Sequence, residues 1–245
     1  MKNFLSFAFL LCTASPAFTQ ATKMVRDISG GQYNKIKQVY SVLRENDTIK
    51  HGSYQRYRNE VLTEAGSYNK NQKDGTWKYY TEGQLISEKE FISGNKFGTW
   101  KSYKQDGSLE WEYDCSSNTF SGMPLSVKAI AFENEKGEWI SEPNLANATR
   151  LSGLLEWTSF LNETLRYPQA AIDAGVQGTV QVEITMDTTG LPVEYDVALP
   201  AKMELVPESL RVVKLYKPEI APYVKDGKKV RVKIRLPLTY RLGRG

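Results

Sequence analysis

Apolar and polar residues alternate in several stretches of this chain, most clearly near the C-terminus. From Lys229 to Leu236 every second residue is apolar and every residue between is basic. The apolar positions are Val230, Val232, Ile234 and Leu236, and the basic ones are Lys229, Arg231, Lys233 and Arg235. A period of two is typical of a β-strand with one buried face. The pattern therefore predicts a final strand with an apolar face and a basic face.

The region before this strand predicts a mixture of helices and strands. Pro168 suits the first position of a short helix, and Gly175 ends it. Alternation returns from Val180 to Met186, which predicts a half-buried strand. In chain order we expect a helix over 153–166, a short helix over 169–174, strands over 180–186 and 193–199 joined by a turn, and a helix over 208–216.

A second pattern repeats every 23 residues between Lys50 and Asp114. Gly52, Gly75 and Gly98 mark three copies, each followed by one aromatic residue two positions later and another five positions later. The repeat aromatics are Tyr54, Tyr57, Trp77, Tyr80, Trp100 and Tyr103. A fixed period marks a repeat array, in which units bury their shared face by stacking. We expect a run of β-hairpins, with each glycine in the tight turn before a strand.

These three copies resemble MORN-type repeats, in the variant found in many bacterial envelope proteins. The resemblance implies a surface for interaction or scaffolding. We expect most of the aromatic residues to lie in the core, since one hairpin cannot bury its own aromatic face. The alternative is an exposed aromatic stripe.

The C-terminal elements carry a second resemblance. The anchors are Tyr167-Pro168, Gly175, Gly178, Asp187 to Gly190, Gly227 and the run Lys228 to Pro237. Their order and spacing resemble the C-terminal domain of TonB, the periplasmic end of the outer-membrane energy transducer. The resemblance implies a small α+β domain with an antiparallel sheet, which captures a partner strand by β-augmentation.

In that family the last strand and the helix led by Tyr-Pro receive a short segment of an outer-membrane receptor. Carried over by position, the resemblance nominates a partner-binding set of Tyr167, Pro168, Ile172, Val230, Arg231, Val232, Lys233, Ile234, Arg235, Leu236 and Tyr240. We expect the last strand to be an open edge whose basic face favours an acidic peptide. A lysine-rich edge also protects a sheet against aggregation, and the two interpretations are compatible.

Composition and charge narrow the classes of function. The formal net charge of +4 is small and dispersed, which argues against a nucleic-acid partner. His51 is the only histidine, and no spacing typical of a catalytic motif or a metal site occurs. We therefore expect a protein that is not an enzyme and that carries no cofactor and no metal.

Residues 1–21 predict a secretory signal peptide, with Lys2 as its charged part and an apolar run from Phe4 to Ala14. Small residues allow cleavage after Thr19 or after Ala21. Leucines precede Cys12 where a lipoprotein signal needs small residues, so a lipid anchor is not favoured. We expect an exported protein of the periplasm or cell envelope, in which Cys115 has no internal cysteine partner.

The predicted fold is mainly β followed by α+β: a β-hairpin repeat array and then a small TonB-like domain with an antiparallel sheet. After the signal we divide the chain into an N-terminal strand region (22–49), MORN-like repeats (50–114), a linker with a short hairpin (115–152) and the TonB-like domain (153–245).

Two functions follow from these resemblances. The first is a periplasmic binding module of the energy transducer family, linked to outer-membrane transmembrane transport. Its expected partners are envelope proteins such as a TonB-dependent outer-membrane receptor, inner-membrane motor proteins, or a second copy joined by edge-strand pairing. The alternative is an envelope scaffolding protein built on the repeats, without energy coupling.

Overall fold

The computed structural model describes residues 21–31 and 35–242. Two large antiparallel sheets dominate it, together with three helices and a small two-stranded ladder. The predicted signal peptide lies outside the described residues, apart from Ala21. Within the described ranges, no helix is long and apolar enough to cross a membrane.

The first sheet has nine strands, and their spatial order follows the sequence. Each strand pairs with the next by an antiparallel hairpin, so the sheet is a meander. The strands are β1 (Thr22–Ser29), β2 (Ile36–Leu43), β3 (Lys50–Arg58), β4 (Val61–Asn69), β5 (Gln72–Thr81), β6 (Gln84–Ile92), β7 (Asn95–Tyr103), β8 (Leu109–Asp114) and β9 (Thr119–Gly122). The meander therefore extends beyond the repeats on both sides.

Two-residue turns join the strands from β3 to β7. Both central residues have positive φ at each of four turns: Asn59–Glu60, Lys70–Asn71, Glu82–Gly83 and Ser93–Gly94. Such turns match the right-handed twist of the flanking strands. The first and third turns are 23 residues apart, as are the second and fourth, so the sequence period is also a period of the backbone.

The prediction that the repeat glycines lie in the turns is wrong. Gly52, Gly75 and Gly98 lie inside β3, β5 and β7, with φ of 100°, 72° and 56°. Next to each glycine the register with the preceding strand shifts, as between Glu88 and Glu90 on β6. A positive φ at a bulge suits glycine, because glycine has no Cβ to clash.

The second sheet contains strands from the predicted linker (115–152) as well as strands from the predicted TonB-like domain (153–245). Its spatial order is β11, β10, β17, β13, β14, and β12 pairs with β10. In chain order the elements are β10 (Ser126–Glu133), β11 (Trp139–Ile140), β12 (Ala148–Thr149), α1 (Leu154–Thr164), α2 (Gln169–Asp173), β13 (Gly178–Met186), β14 (Pro192–Val197), α3 (Val206–Tyr216), β15 (Val224–Lys225), β16 (Lys228–Lys229) and β17 (Val232–Tyr240).

The last strand differs from its prediction in two ways. It begins at Val232, because Lys228–Lys229 pairs instead with Val224–Lys225 in a short separate ladder. It is also an inner strand, with β13 on one side and β10 on the other. The expectation of an open edge along its N-terminal half is therefore wrong, because a segment assigned to the linker occupies that edge.

The two sheets pack together through shared side chains. Leu151 and Ala221, which lie near the C-terminal sheet, belong to the buried aromatic cluster of the meander. Helix α1 contacts β5 and β6, and Lys89 of β6 forms an ion pair of 2.8 Å with Glu156 of α1. The C-terminal half of the chain therefore covers part of the aromatic face of the meander.

Candidate partner-binding site

The apolar face of β17 belongs to the core. Val232, Ile234 and Leu236 are all at most 2% exposed and pack in the hydrophobic cluster of the C-terminal sheet. They hold the strand in place, and their side chains are not available to a partner. Val230 lies before β17 and is partly buried against the same cluster.

The residues nominated around the Tyr-Pro helix also pack against β17. The Tyr167 hydroxyl donates to the Val176 carbonyl at 2.7 Å, and its ring meets that of Tyr240 edge to face at 5.6 Å. Tyr240 is buried, with its hydroxyl 2.9 Å from that of Ser209. Pro168 precedes α2, as its fixed φ allows, and Ile172 is 40% exposed. Of this group, Ile172 presents the apolar surface.

The basic residues near β17 lie among acidic residues of neighbouring strands. Arg231 lies 3.1 Å from Glu133 of β10 and 3.6 Å from Glu194 of β14. Arg235 forms an ion pair with Glu183 of β13. The Lys233 ammonium lies 4.4 Å from the centre of the Trp139 ring. Acidic residues of the same domain therefore already neutralise much of the positive charge that was expected to attract an acidic peptide.

The outer edge of β17 is paired with β10 over a short distance. Val232 to Arg235 lies opposite Lys128 to Phe132, with a register shift between Ala129 and Ala131. The Glu133 N–H also donates to the Arg231 carbonyl at 2.9 Å. This edge therefore accepts an antiparallel strand, and the strand present is the chain's own.

Pro237 limits how far this edge can pair. Backbone groups alternate sides along a strand, so the bond from Glu133 to Arg231 assigns the odd-numbered residues to the β10 side. Pro237 follows in that series and has no N–H to offer there. Past this point β10 diverges from β17 and leaves a cavity of about 510 Å³, lined in part by Ser126, Arg150 and Trp157.

The repeat aromatics form two rows on opposite faces of the meander. Tyr54, Trp77 and Trp100 are buried, which agrees with their predicted place in the core. The indole N–H groups of Trp77 and Trp100 donate to carbonyl oxygens ten residues earlier, at 3.0 and 2.8 Å. The second row, Tyr57, Tyr80 and Tyr103, is half-buried. Its members lie at odd spacing from the first row along regular strands, which places them on the other face.

A row of lysines in the repeats was missed by the sequence analysis. Lys50, Lys73 and Lys96 lie four residues before Tyr54, Trp77 and Trp100, so they share the 23-residue period. Each ammonium lies near the ring of its own aromatic residue, at 5.3, 4.0 and 6.0 Å from the centre. Cation–π contact at this distance is favourable. The period itself was the signal that identifies them.

The thiol and the side chains that could hold a metal can be assessed within the described ranges. Burial raises the pKa of the Cys115 thiol to about 11, so the nucleophilic thiolate is scarce at neutral pH. The described residues also contain no group of three or more histidine, cysteine, aspartate or glutamate side chains placed to hold a metal ion.

Comparison with known proteins found a similarity in the C-terminal part of the chain. Residues 163–242 match the family model of the Gram-negative bacterial TonB protein C-terminal. A search of curated proteins found no match. The matched segment runs from the end of α1 to just beyond β17. The resemblance inferred from Tyr167-Pro168 and the final strand is therefore supported for this domain, and MORN repeats are not part of the match.

The matched family characterises residues 163–242 and covers less than half of the chain. It is a transducer and binding domain of the periplasm and cell envelope, and its interactions with envelope proteins include outer-membrane receptors. It is non-catalytic, which is consistent with a chain that is not an enzyme.

Proposed function

We propose that this protein is an exported TonB-like binding module that captures an extended segment of an envelope protein as an added strand on the edge of β17. The partner class is an outer-membrane transport receptor, in keeping with the family of residues 163–242. One observation carries the proposal: within that matched region, the β17 edge already holds an antiparallel strand, β10.

Capture at this edge requires β10 to leave. Four pairs of residues and one register shift form its ladder with β17. Ion pairs add to this ladder, as between Arg231 and Glu133, but their side chains are 32% and 23% exposed. Partly exposed pairs contribute little and are screened by salt. The larger cost is the exposure of Val127, Ala129 and Phe132, which β10 buries in the core of this sheet. An incoming strand must therefore bring apolar side chains that take their place.

A reversible lock tests this mechanism. Lys128 and Arg235 are directly opposite each other, so Lys128→Cys with Arg235→Cys, in a Cys115→Ser background, joins β10 to β17 by a disulfide. A photocrosslinking residue at Lys233 then reports the envelope proteins bound in cells. We expect an outer-membrane transport receptor to be crosslinked to the reduced protein and not to the oxidised one.

A matched lock controls for the disulfide itself. Thr179 and Thr239 are opposite each other in β13 and β17, away from the β10 edge. Thr179→Cys with Thr239→Cys is expected to leave crosslinking unchanged in both redox states. Equal crosslinking of the β10 lock in both states would contradict strand exchange, and absence of any receptor would contradict the proposed partner.

The scaffolding function has one observation in its favour. The half-buried tyrosines Tyr57, Tyr80 and Tyr103 lie on the face of the meander opposite the buried row. Replacing all three by serine leaves the inner aromatic row in place. If the repeats are the scaffold, this variant loses envelope partners while crosslinking at Lys233 persists. An unchanged set of envelope partners would contradict the scaffolding function.

A further inference from the structure

Strand β1 forms one edge of the nine-stranded meander and is well suited to pairing. It is eight residues long and pairs with β2 along its whole length without a register shift. In the part of the chain that the structure describes, no strand lies on its other side. It contains no proline and no bulge, which are common protections of an edge, and its charged residues carry both signs. The opposite edge, β9, has four residues and ends in Gly122 at φ 92°.

The free backbone groups of β1 can be assigned. Arg44 N–H donates to the Ala21 carbonyl at 3.0 Å, at the end of the ladder between β1 and β2. Because backbone groups alternate sides, the even-numbered residues of β1 direct theirs to the open side. The Thr22 carbonyl on that side accepts a bond of 3.1 Å from Arg44 Nε. Met24, Arg26 and Ile28 are left with groups that face outward.

The edge carries exposed apolar side chains on one face and a pair of opposite charges on the other. Met24 and Ile28 are 62% and 54% exposed. Lys23 and Asp27 flank Val25 symmetrically, two residues to either side. Lys23 has one exposed contact, 3.4 Å from Asp47, which is weak enough to exchange.

We propose that β1 is the self-association edge of this protein, on which a second copy pairs antiparallel about a two-fold axis at Val25. This register places Lys23 opposite Asp27 of the partner subunit, and Asp27 opposite the partner's Lys23. Met24 and Arg26 then exchange backbone hydrogen bonds with Arg26 of the partner subunit and the partner's Met24. The dimer joins the two meanders into one continuous sheet.

Charge and length select this register over its neighbours. An axis at Arg26 or at Asp27 places like charges directly opposite each other, which is destabilising. An axis at Met24 shortens the ladder, because Thr22 begins the strand. A two-fold contact of this kind uses the same patch on both copies, so assembly stops at the dimer.

Analytical ultracentrifugation of the exported chain over a wide concentration range tests the proposal. Met24→Pro removes an outward N–H, which the single chain tolerates because the site is an edge. We expect the wild type to show a monomer–dimer equilibrium. In Met24→Pro we expect the dissociation constant of the dimer to be larger by a factor of at least about ten. Circular dichroism and thermal denaturation confirm that the variant is folded.

A charge exchange tests the register. Asp27→Lys faces Lys23 with a like charge and is expected to weaken the dimer, whereas Lys23→Asp combined with Asp27→Lys restores opposite charges and rescues it. A wild-type chain that stays monomeric, or that forms open-ended assemblies, would overturn the proposal. A dimer unaffected by Met24→Pro or by Asp27→Lys would overturn it as well.

Discussion

Gly66 shows how closely single residues of the meander fit the buried aromatic row. A Cβ added at this position would lie 2.4 Å from a ring atom of Trp77, whose indole N–H is already fixed on the Ser67 carbonyl. We expect Gly66→Ala to lower the free energy of unfolding by about 1–3 kcal/mol through overpacking. Thermal denaturation measures the effect.

Gly31 provides the matched control for this substitution. Nothing lies within 4 Å of a Cβ added there, so Gly31→Ala is expected to leave stability nearly unchanged. If Gly66→Ala were as stable as Gly31→Ala, the Trp77 ring would have moved aside for the added methyl group, which would contradict the prediction.

The ion pair between Lys89 and Glu156 is a buried charged contact between the two halves of the molecule. Their side chains are 8% and 16% exposed. Glu156→Gln removes the carboxylate that contacts Lys89 and leaves only the more distant charge of Glu219 to offset the buried ammonium. We expect a loss of up to about 3–5 kcal/mol in urea denaturation at neutral pH. Lys89→Met with Glu156→Leu removes both charges and is expected to cost less. A larger loss in the double variant would contradict this account.

The same pair predicts a dependence on pH. Burial lowers the pKa of Lys89, but the negative charges of Glu156 and Glu219 together raise it by more. The pKa of Lys89 in the folded protein therefore lies above its ordinary value of 10.5. A raised pKa in the folded state gives stability that is complete below the ordinary pKa and lost as pH rises through the folded value. We therefore expect the free energy of unfolding of the wild type to exceed that of Glu156→Gln at neutral pH, and the difference to be lost only in strongly alkaline solution.

At the scale of elements, the two-residue turns set the hairpins of the repeat. Ser93 and Gly94 have φ of 49° and 79°, and asparagine tolerates this conformation better than serine. We expect Ser93→Asn to raise the free energy of unfolding by about 0.5 kcal/mol. Gly94→Ala, which adds a Cβ at positive φ, is expected to lower it by about 1 kcal/mol. Chemical denaturation of both variants checks the opposite signs.

Strand β10 is expected to be the least protected inner strand of the C-terminal sheet. Its ladder with β17 contains a register shift and four residue pairs, whereas β13 pairs with β17 over nine. Local opening follows such differences in pairing. Hydrogen exchange read by mass spectrometry should show β10 amides exchanging before those of β13. Equal protection would argue against the release of β10 that strand capture requires.

At the scale of the molecule, the two halves are expected to unfold together. Leu151 is 1% exposed and packs in the aromatic cluster of the meander, although it lies next to the C-terminal sheet. We expect Leu151→Ala to cost about 2–5 kcal/mol, as for other deletions in a core. One shared thermal transition, seen by both calorimetry and tryptophan fluorescence, would be lowered as a whole. Two transitions with only one shifted would show that the halves are independent.

Local features of the fold followed from the sequence because they depend on neighbouring residues. The period of 23 located the hairpins, and alternation identified β13 and most of β17. The wrong placement of Gly52, Gly75 and Gly98 has a local cause as well. Turns and bulges both require positive φ, and composition does not distinguish them.

What the sequence by itself determined is therefore the hairpin array, the order of C-terminal elements and their likeness to the TonB C-terminal family. The tertiary structure alone decided which strands are edges, because pairing between distant segments leaves no periodic mark in the sequence. The segment Ser126–Glu133 has a strand pattern, but nothing local shows that it covers β17. In the same way, only the packing of the two halves shows that Leu151 and Ala221 complete the aromatic core. Burial depends on what the folded chain brings together, and the binding edge depends on what it leaves uncovered.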